Sequence, residues 1–312
     1  MIQKMWASIV LAVALVLVAP AQAEDVKLKP FVLAEISDMG LAAAAASVKS
    51  KLSSAGFDVV GDFSPYAGTQ ILVITNGDLQ ALAAKSKYGG YGAVHRVSLV
   101  EASGKVQVAY TNPPYWAAAF RMDGDQADMG AKLGSTLGNQ QSFGAEGIEA
   151  DELRDYHYKF MMPYFDDPIR LIKHDSHADA VAAAEKSLAE GRSGITKVYR
   201  VDIPGKEETV FGVAMDGTKG GGDMQDDAFL MKEIDFKDIK SAAHLPYEIL
   251  ITEGVARTLP AEFRIAISFP DLSMMGDNSF MNIMGAPDAI KSALTQAAGG
   301  KAITKKQGVS LE

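Results

Sequence analysis

The chain has 312 residues, with 30 Lys and Arg against 39 Asp and Glu, a formal net charge of −9 and no cysteine. The negative charge, without any strongly basic cluster, argues against nucleic acid as a partner. The absence of cysteine excludes disulfides, thiolate metal sites, thiol nucleophiles and attached c-type haem. Hydrophobic residues make up 48% of the chain, which is enough to pack one large domain or two smaller ones.

The N-terminal segment, residues 1–23, has the pattern of a secretory signal peptide. Lys4 lies close to the amino terminus, an apolar run covers 7–19, and Pro20 precedes the small-x-small cleavage site Ala21-Gln22-Ala23. The apolar run is too short to span a bilayer comfortably. We therefore expect cleavage after Ala23, export to the periplasm of a diderm bacterium, and no membrane anchor after cleavage.

Residues 24–122 are predicted to form a first α/β domain, because strand and helix periods alternate along them. An alanine-rich helix ends at Gly56, a typical position for glycine, and Pro113-Pro114 stops the last strand. Since hairpins join neighbouring strands, the sheet is predicted to be antiparallel. The predicted elements are a strand at 31–36, a helix at 41–55, strands at 57–63 and 70–75, a helix at 79–86 capped by Asp78, strands at 94–100 and 106–111, and a helix at 115–122.

Several segments between residues 31 and 122 together form a pattern seen in a known family. They are Leu52-Ser-Ser-Ala-Gly-Phe57, residues 71–76, Arg96-Val-Ser-Leu, Val106-Gln-Val-Ala-Tyr and Asn112-Pro113. This third of the chain resembles the family catalogued as domain of unknown function 302. The resemblance implies a small domain with an antiparallel sheet and helices on one side. It implies no activity and no catalytic residue, because the family has no established activity.

Residues 123–149 are predicted to be a linker or large surface loop, because they are rich in Gly, Asp, Gln and Ser and lack a sustained apolar period. A second α/β domain is predicted over 150–300, followed by a tail at 301–312. Its predicted elements are a helix at 150–162, a helix at 179–190 capped by Ser176, strands at 196–203, 208–215 and 229–234, a hairpin of strands at 247–252 and 262–269, and a helix at 289–298.

The two halves share part of their pattern. Residues 97–112 and 249–269 each run through a strand, a Glu, a turn, a second strand and a Pro. A repeated unit of this kind indicates tandem duplication, with the second half a much diverged copy. We therefore predict an α+β fold of two related halves, each an antiparallel sheet with helices packed mainly on one face.

Methionine provides the sharpest indication of chemistry. Seven of the 14 methionines lie between residues 215 and 284, and four of these lie within 274–284. In a chain without cysteine, thioether sulfur is the remaining soft ligand, and it suits Cu(I). The alternative is that Met281 and Met284 pack the last helix on the sheet, since Met is a common core filler, and we expect this second role. The candidate ligands are Met274, Met275, Met281 and Met284.

Histidine supplies a second set of candidate metal ligands. His174 and His177 form a His-x-x-His pair, and His157 lies on the preceding predicted helix. Such a set could complete a metal site with or without methionine. The alternative is that the pair is simply polar sequence at the capped start of a helix, where such residues are expected.

Five aromatic residues lie near glycine-rich or proline-bounded strand ends: Tyr88, Tyr91, Tyr110, Tyr115 and Trp116. Aromatic side chains in such places line many ligand grooves. They can equally cover a sheet and the seam between two halves, which is the role we expect. The five residues are therefore both candidate ligand contacts and candidate core residues.

The sequence carries no recognised catalytic signature. The phosphate-binding P-loop spacing, the Gly-x-Ser-x-Gly elbow and the His-Glu-x-x-His motif are all missing. We therefore predict an exported, non-enzymatic protein that binds a small molecule or another periplasmic protein and needs no cofactor. Periplasmic Cu(I) handling through the methionines is the first alternative, and a hydrolase with catalytic residues distant in sequence is the second.

Overall fold

The computed structural model describes residues 27–157 and 162–302. The predicted signal peptide, part of the predicted helix at 150–162, and residues 303–312 of the predicted tail lie outside the described residues. Within the described ranges, no helix is both long enough and apolar enough to cross a bilayer. The structure is α+β with two antiparallel sheets, as predicted.

The first sheet has six strands in the order β2-β3-β4-β5-β1-β6, and every neighbouring pair is antiparallel. The predicted hairpin of β4 and β5 is confirmed. A 3-10 helix at Gly89–Gly92 precedes β4. The elements are β1 (Phe31–Ser37), α1 (Leu41–Ser54), β2 (Asp58–Phe63), β3 (Thr69–Thr75), α2 (Gly77–Lys85), β4 (His95–Ala102), β5 (Lys105–Thr111), α3 (Pro113–Ala119), α4 (Ala127–Leu137) and β6 (Gln141–Phe143).

The second sheet has five strands in the order β7-β11-β10-β9-β8, again all antiparallel. The elements are α5 (Ala150–Arg154), β7 (Ile169–Lys173), α6 (His177–Ala189), β8 (Ile195–Asp202), β9 (Glu208–Met215), α7 (Asp227–Ile234), β10 (Tyr247–Thr252), β11 (Val255–Thr258), α8 (Ala261–Ser268) and α9 (Ala286–Ala297). Short 3-10 helices lie at Arg192–Gly194, Gly217–Lys219, Asp223–Gln225, Ala242–His244 and Phe280–Ile283.

The two halves repeat one topology, which confirms the prediction of two related halves. The order β7-β11-β10-β9-β8 is the order β1-β5-β4-β3-β2 with every strand replaced by its counterpart. The hairpin turns also match: Ser103 and Gly104 have φ of 51° and 77°, and Glu253 and Gly254 have 51° and 74°. Such turns need two residues in the left-handed region, and glycine adopts it without strain. A diverged tandem duplication would produce this correspondence.

The predicted linker over residues 123–149 is wrong in part, because it contains α4 and the edge strand β6. Met129, Leu133 and Leu137 lie four residues apart on α4 and are buried in the core over the first sheet. Two glycines and small polar residues between them hide this stripe in the sequence. The segment therefore belongs to the first half rather than joining two domains.

Three predicted elements of the second half also need correction. The predicted strand at 229–234 is helix α7, whose first turn is capped by the Asp226 carboxylate accepting from the Phe229 N–H. The predicted strand at 262–269 is helix α8, and the partner of β10 is the shorter strand β11. Helix α5 ends at Arg154. In the first half, Asn76 rather than Asp78 caps α2, accepting from the Leu79 N–H at 3.0 Å.

The sheets face each other, and helices cover their outer faces. Helices α1 and α4 pack on the outer face of the first sheet, and α6 and α9 pack on that of the second. The inner faces of the two sheets meet in a hydrophobic cluster that includes Val73, Val210 and Leu250. Gly212 lets the Tyr199 ring lie flat on its own sheet, because a side chain there would overlap the ring. We call the buried hydrophobic contact between the inner faces of the two sheets the seam.

The packing across the seam is reciprocal. The 3-10 helix at Gly89–Gly92 contacts β9 and β10, and the 3-10 helix at Ala242–His244 contacts β3, β4 and β5. The Gly90 N–H donates to Glu208 Oε1 at 2.7 Å, while the Lys240 N–H donates to Gln107 Oε1 at 2.9 Å. Each half thus packs a short 3-10 helix against the sheet of the other half.

Candidate functional site

A cluster of three charged side chains lies at the centre of the seam. Arg96 on β4 and Arg264 on α8 both pair with Glu248 on β10, and all three residues are at most 2% exposed. Arg264 Nη1 lies 2.8 Å from Glu248 Oε2, and Arg96 Nη2 pairs with the other carboxylate oxygen, Oε1. Two cations therefore share one carboxylate, which leaves a net positive charge in the interior.

Carbonyl oxygens and aromatic rings offset this charge. Arg264 Nη2 donates to the carbonyl oxygens of His244 and Pro246 at 2.6 and 3.0 Å. The Arg264 guanidinium also lies 5.4 Å from the centre of the Tyr247 ring, a favourable cation–π distance. Burial, followed by the nearby Arg264 charge, lowers the pKa of the Arg96 guanidinium. The cluster is enclosed by protein and is not open to a substrate. Because Arg96 belongs to the first half and Glu248 and Arg264 to the second, the ion pairs join the two halves.

The predicted aromatic groove residues lie mostly in the interior. Tyr91, Tyr110, Tyr115 and Trp116 are all buried, and Tyr88 is half-buried. The Tyr115 hydroxyl donates to the Ile267 carbonyl oxygen at 2.7 Å, across the seam. The expected role in covering the sheet and the seam therefore fits the structure, and these four buried side chains do not line an open groove.

The three candidate histidines have separate partners. His174 Nε2 lies 3.1 Å from the Ala298 carbonyl oxygen, His177 Nε2 lies 3.0 Å from Thr209 Oγ1, and the His157 ring stacks on Tyr164. Within 27–157 and 162–302, no group of three or more His, Asp or Glu side chains is arranged to hold a metal ion. The structure thus does not bring the His-x-x-His pair and His157 together as one site.

The candidate methionines are exposed, and the expectation that Met281 and Met284 pack on the sheet is wrong. Met275, Met281 and Met284 are 70%, 49% and 66% exposed, and Met274 is half-buried. The reason is that α9 begins only at Ala286, so Met281 and Met284 lie on and just after the preceding 3-10 helix. Ile283 is the residue of that 3-10 helix that enters the core.

An open cavity of about 370 Å³ lies beside α9 in the second half. We call it the α9 cavity. Its lining carries hydroxyl, amide and charged groups of both signs, and its volume lies within the range of about 300–1,000 Å³ common for small-molecule sites. The lining residues are Ser193, Gly221, Gln225, Gly285, Asp288, Ala289, Lys291, Ser292 and Gln296.

A hydrogen-bonded network holds one wall of the α9 cavity in place. Gln225 is buried; its side-chain oxygen accepts from the Gly221 N–H at 2.8 Å, and its nitrogen donates to the Ser193 carbonyl oxygen. Gln296 Nε2 then donates to Ser193 Oγ at 3.2 Å, which connects the wall to α9. A side-chain amide satisfied at both ends is fixed in orientation, so this wall is preformed.

The glycine-rich loop at 217–222 makes this wall possible. A side chain at Gly220 would overlap both the Ser193 carbonyl and the Gln225 amide, and one at Gly194 would overlap the Asp216 carbonyl. The loop therefore folds tightly over the turn at Arg192–Gly194 only because these positions lack a Cβ. The loop thus builds one wall of the α9 cavity.

The first half also has an open cavity, beside α4, the helix that corresponds to α9 in the order of elements. It measures about 360 Å³ and lies between α2 and the first turns of α4. The α9 cavity, in contrast, extends along most of α9 and is also bounded by the turn at Arg192–Gly194. We call it the α4 cavity. Its lining is more apolar, with Leu79, Leu82 and Met129 beside Asp128 and Lys132. Each half thus has an open cavity of similar volume.

Several residues of these sites were missed by reasoning from the sequence. Glu248 and Arg264 lie more than 150 residues from Arg96, so no local pattern joins them. Gln225 does not belong to a recognised sequence motif. The adjacent run of glycines is the feature of the sequence that indicates an irregular, tightly folded loop.

No protein-family model matches this chain, and no curated protein or solved structure is significantly similar to it. Its function is therefore inferred from the residues and geometry described above.

Proposed function

We propose that this chain is an exported, non-enzymatic protein that binds a small polar molecule in the α9 cavity. The observation that carries the proposal is that the open α9 cavity has one wall held by a side-chain amide, Gln225, that is hydrogen-bonded at both its oxygen and its nitrogen. In small-molecule sites of this volume, a small number of fixed polar groups orient the ligand and provide specificity.

The lining indicates the class of ligand. Asp288 and Lys291 on α9 present opposite charges, and Ser292 and Gln296, further along the same helix, add a hydroxyl and an amide to the lining. A molecule that carries both a cationic and an anionic group matches this arrangement better than a single-sign ion, because each charge meets its opposite. We therefore propose a small zwitterion, such as a free amino acid, as the ligand class.

Export and family membership are parts of the same proposal. The signal-peptide pattern of residues 1–23 supports a periplasmic location. The resemblance of residues 31–122 to domain of unknown function 302 supports the proposal only through the fold it implies. A hydrolase stays an alternative prediction, which the closed Arg96–Glu248–Arg264 cluster does not favour.

We expect the natively expressed protein to begin at Glu24, because signal peptidase cleaves after small residues such as Ala23. Intact-mass spectrometry of the periplasmic fraction measures this directly. The variant Ala23→Phe places a bulky residue at the cleavage site and should retain residues 1–23. A mature pool that still begins at Met1 would contradict export by cleavage.

We expect the exported chain to bind at least one amino acid, and the variant Ala289→Trp to weaken that binding at least tenfold by filling the α9 cavity. Ala289 is half-buried in the cavity lining, so the indole has space only where the ligand would lie. Amide chemical shifts during titration with each of the common amino acids report both affinity and location.

The matched control is Ala131→Trp, at an exposed position of α4 outside the α4 cavity lining. It should bind like the wild type. Binding that survives Ala289→Trp unchanged, or shift changes confined to the α4 cavity, would place the ligand elsewhere. An absence of any shift change at millimolar amino acid would overturn the proposed ligand class.

A further inference from the structure

A group of exposed methionines surrounds the 3-10 helix at Phe280–Ile283. Methionine is among the residues most often buried, yet Met275, Met281 and Met284 are 70%, 49% and 66% exposed. They make up half of the large hydrophobic residues that are exposed in the described part of the chain. Three exposed thioethers within ten residues of sequence call for a chemical explanation.

The backbone brings these methionines close to one another. Residues i and i+3 of a 3-10 helix lie directly above one another, which places Met284 next to Met281; the Met284 N–H approaches the Met281 carbonyl oxygen at 3.4 Å. The Met281 N–H also donates to the Met274 carbonyl oxygen at 3.2 Å. Met275 therefore directly follows Met274, whose carbonyl oxygen is hydrogen-bonded to the Met281 N–H.

The chain reversal between these segments is built from specific conformations. Gly276 and Asn278 have φ of 102° and 50°, both in the left-handed region, which glycine and asparagine adopt more readily than other residues. Ser273 Oγ donates to the Met275 carbonyl oxygen at 2.7 Å, and Ser279 Oγ donates to the Gly276 carbonyl oxygen at 2.8 Å. These bonds fix the reversal, and the backbone bonds from the Phe280 N–H to the Ser273 carbonyl oxygen and from the Met281 N–H to the Met274 carbonyl oxygen hold the two segments side by side.

A further thioether lies at the edge of the group. Met224 Sδ is 3.5 Å from the position that a Cβ of Gly285 would occupy, immediately after Met284. Met224 is half-buried on the glycine-rich side of α9. The long, unbranched methionine side chain has three rotatable bonds, so sulfur atoms on neighbouring residues can turn toward one point.

We propose that Met275, Met281 and Met284, with Met224 as the adjacent fourth thioether, form a site for a soft monovalent cation, Cu(I) or Ag(I). Neutral thioethers select soft d10 ions over Zn(II), Ca(II) and Mg(II), which take imidazole, carboxylate or water. The acidic chain and the neighbouring exposed Asp277 favour a cation without offering a competing soft ligand. This site adjoins the α9 cavity at Gly285, but the inference does not rest on the proposed ligand.

The test is a titration of the full exported chain with Cu(I), kept reduced under anaerobic conditions, against a chromophoric Cu(I) chelator. We expect the chain to remove one equivalent of Cu(I) from the chelator. The variants Met281→Leu and Met284→Leu should each weaken binding at least tenfold, and the triple variant Met275→Leu/Met281→Leu/Met284→Leu should abolish it. X-ray absorption at the copper edge should show sulfur ligands only.

The matched control is Met39→Leu, which removes an exposed methionine of the first half, 41% exposed and outside the group. It should bind Cu(I) like the wild type. Leucine keeps the side chain apolar and of similar size, and far-ultraviolet circular dichroism checks that each variant folds. Failure to compete with the chelator, or unchanged binding by the triple variant, would overturn the proposal; in the first case the exposed methionines would instead be a surface for contact with another protein.

Discussion

Replacing Glu248 by glutamine should destabilise the folded chain by about 3–5 kcal/mol, the range for breaking a buried ion pair by removing one partner. The change would leave Arg96 and Arg264 buried beside each other with no carboxylate between them. Urea unfolding followed by circular dichroism gives the free energy of unfolding. We expect this to be the largest loss caused by a single polar substitution in the seam.

Two comparison variants separate the buried charge from other effects. Asp38→Asn breaks the exposed pair with Lys105 and should cost at most about 1 kcal/mol, since surface ion pairs contribute little. The triple variant Arg96→Met/Glu248→Leu/Arg264→Met removes all three charges together and should recover most of the stability lost by Glu248→Gln. A Glu248→Gln protein as stable as the wild type would contradict the view that the cluster joins the halves.

Replacing Asp227 by asparagine should stabilise the protein at pH 8 by several kcal/mol and leave its stability near pH 3 almost unchanged. Asp227 lies fully buried at the start of α7, and burial raises its pKa from 3.8 to about 8. One carboxylate oxygen accepts from the Met215 N–H at 2.8 Å, while the other has no hydrogen-bond partner in the described structure. An asparagine can accept the same bond without requiring a charge to be buried.

The direction follows from the raised pKa. The folded state binds the proton more tightly than the unfolded state, so the contribution of Asp227 is fully present below about pH 4 and is lost as the pH rises toward 8, at about 1.4 kcal/mol per pKa unit. Asp235, whose pKa burial raises to about 7, adds to the same slope. Unfolding free energies between pH 3 and 8 measure it.

Asp58→Asn, at an exposed position of β2, controls for the loss of one negative charge from an acidic chain. It should leave the slope of stability against pH as it is in the wild type. Burial lowers the pKa of His95 and His244, which opposes the slope from Asp227 equally in both proteins. A stability difference between Asp227→Asn and the wild type that does not grow from pH 4 to pH 8 would therefore show that Asp227 is not buried as a neutral acid.

The sequence predicts some helices and strands more accurately than others, and the reasons are physical. Strands β1 to β5, β8 and β9 follow clear apolar periods and were predicted within one or two residues. Helix α8 was mistaken for a strand because Phe263, Ile265 and Ile267 alternate with other residues. The helix lies between two cores and is buried all round, so the one-sided stripe that identifies a surface helix is missing.

The candidate sites are harder to predict from the sequence than the helices and strands are. Methionine is usually a core residue, so burial of Met281 and Met284 was the natural expectation, and only the late start of α9 explains their exposure. The α9 cavity depends on contacts between the turn at Arg192–Gly194, the loop at 217–222 and α9. Contacts of this kind follow from tertiary packing, which apolar periodicity does not report.

The contacts across the seam are reciprocal, as they are in a twofold dimer interface, yet the centre of the seam is chemically asymmetric. Counted back from the turn glycines Gly104 and Gly254, Glu248 corresponds to Ser98 of the first half. In a true homodimer each interface residue meets the same surface of an identical partner, so two first halves would bury two Arg96 side chains and no carboxylate. Two halves in one chain are free of this constraint of identity, so each can present a different residue at the same position, as Glu248 and Ser98 do.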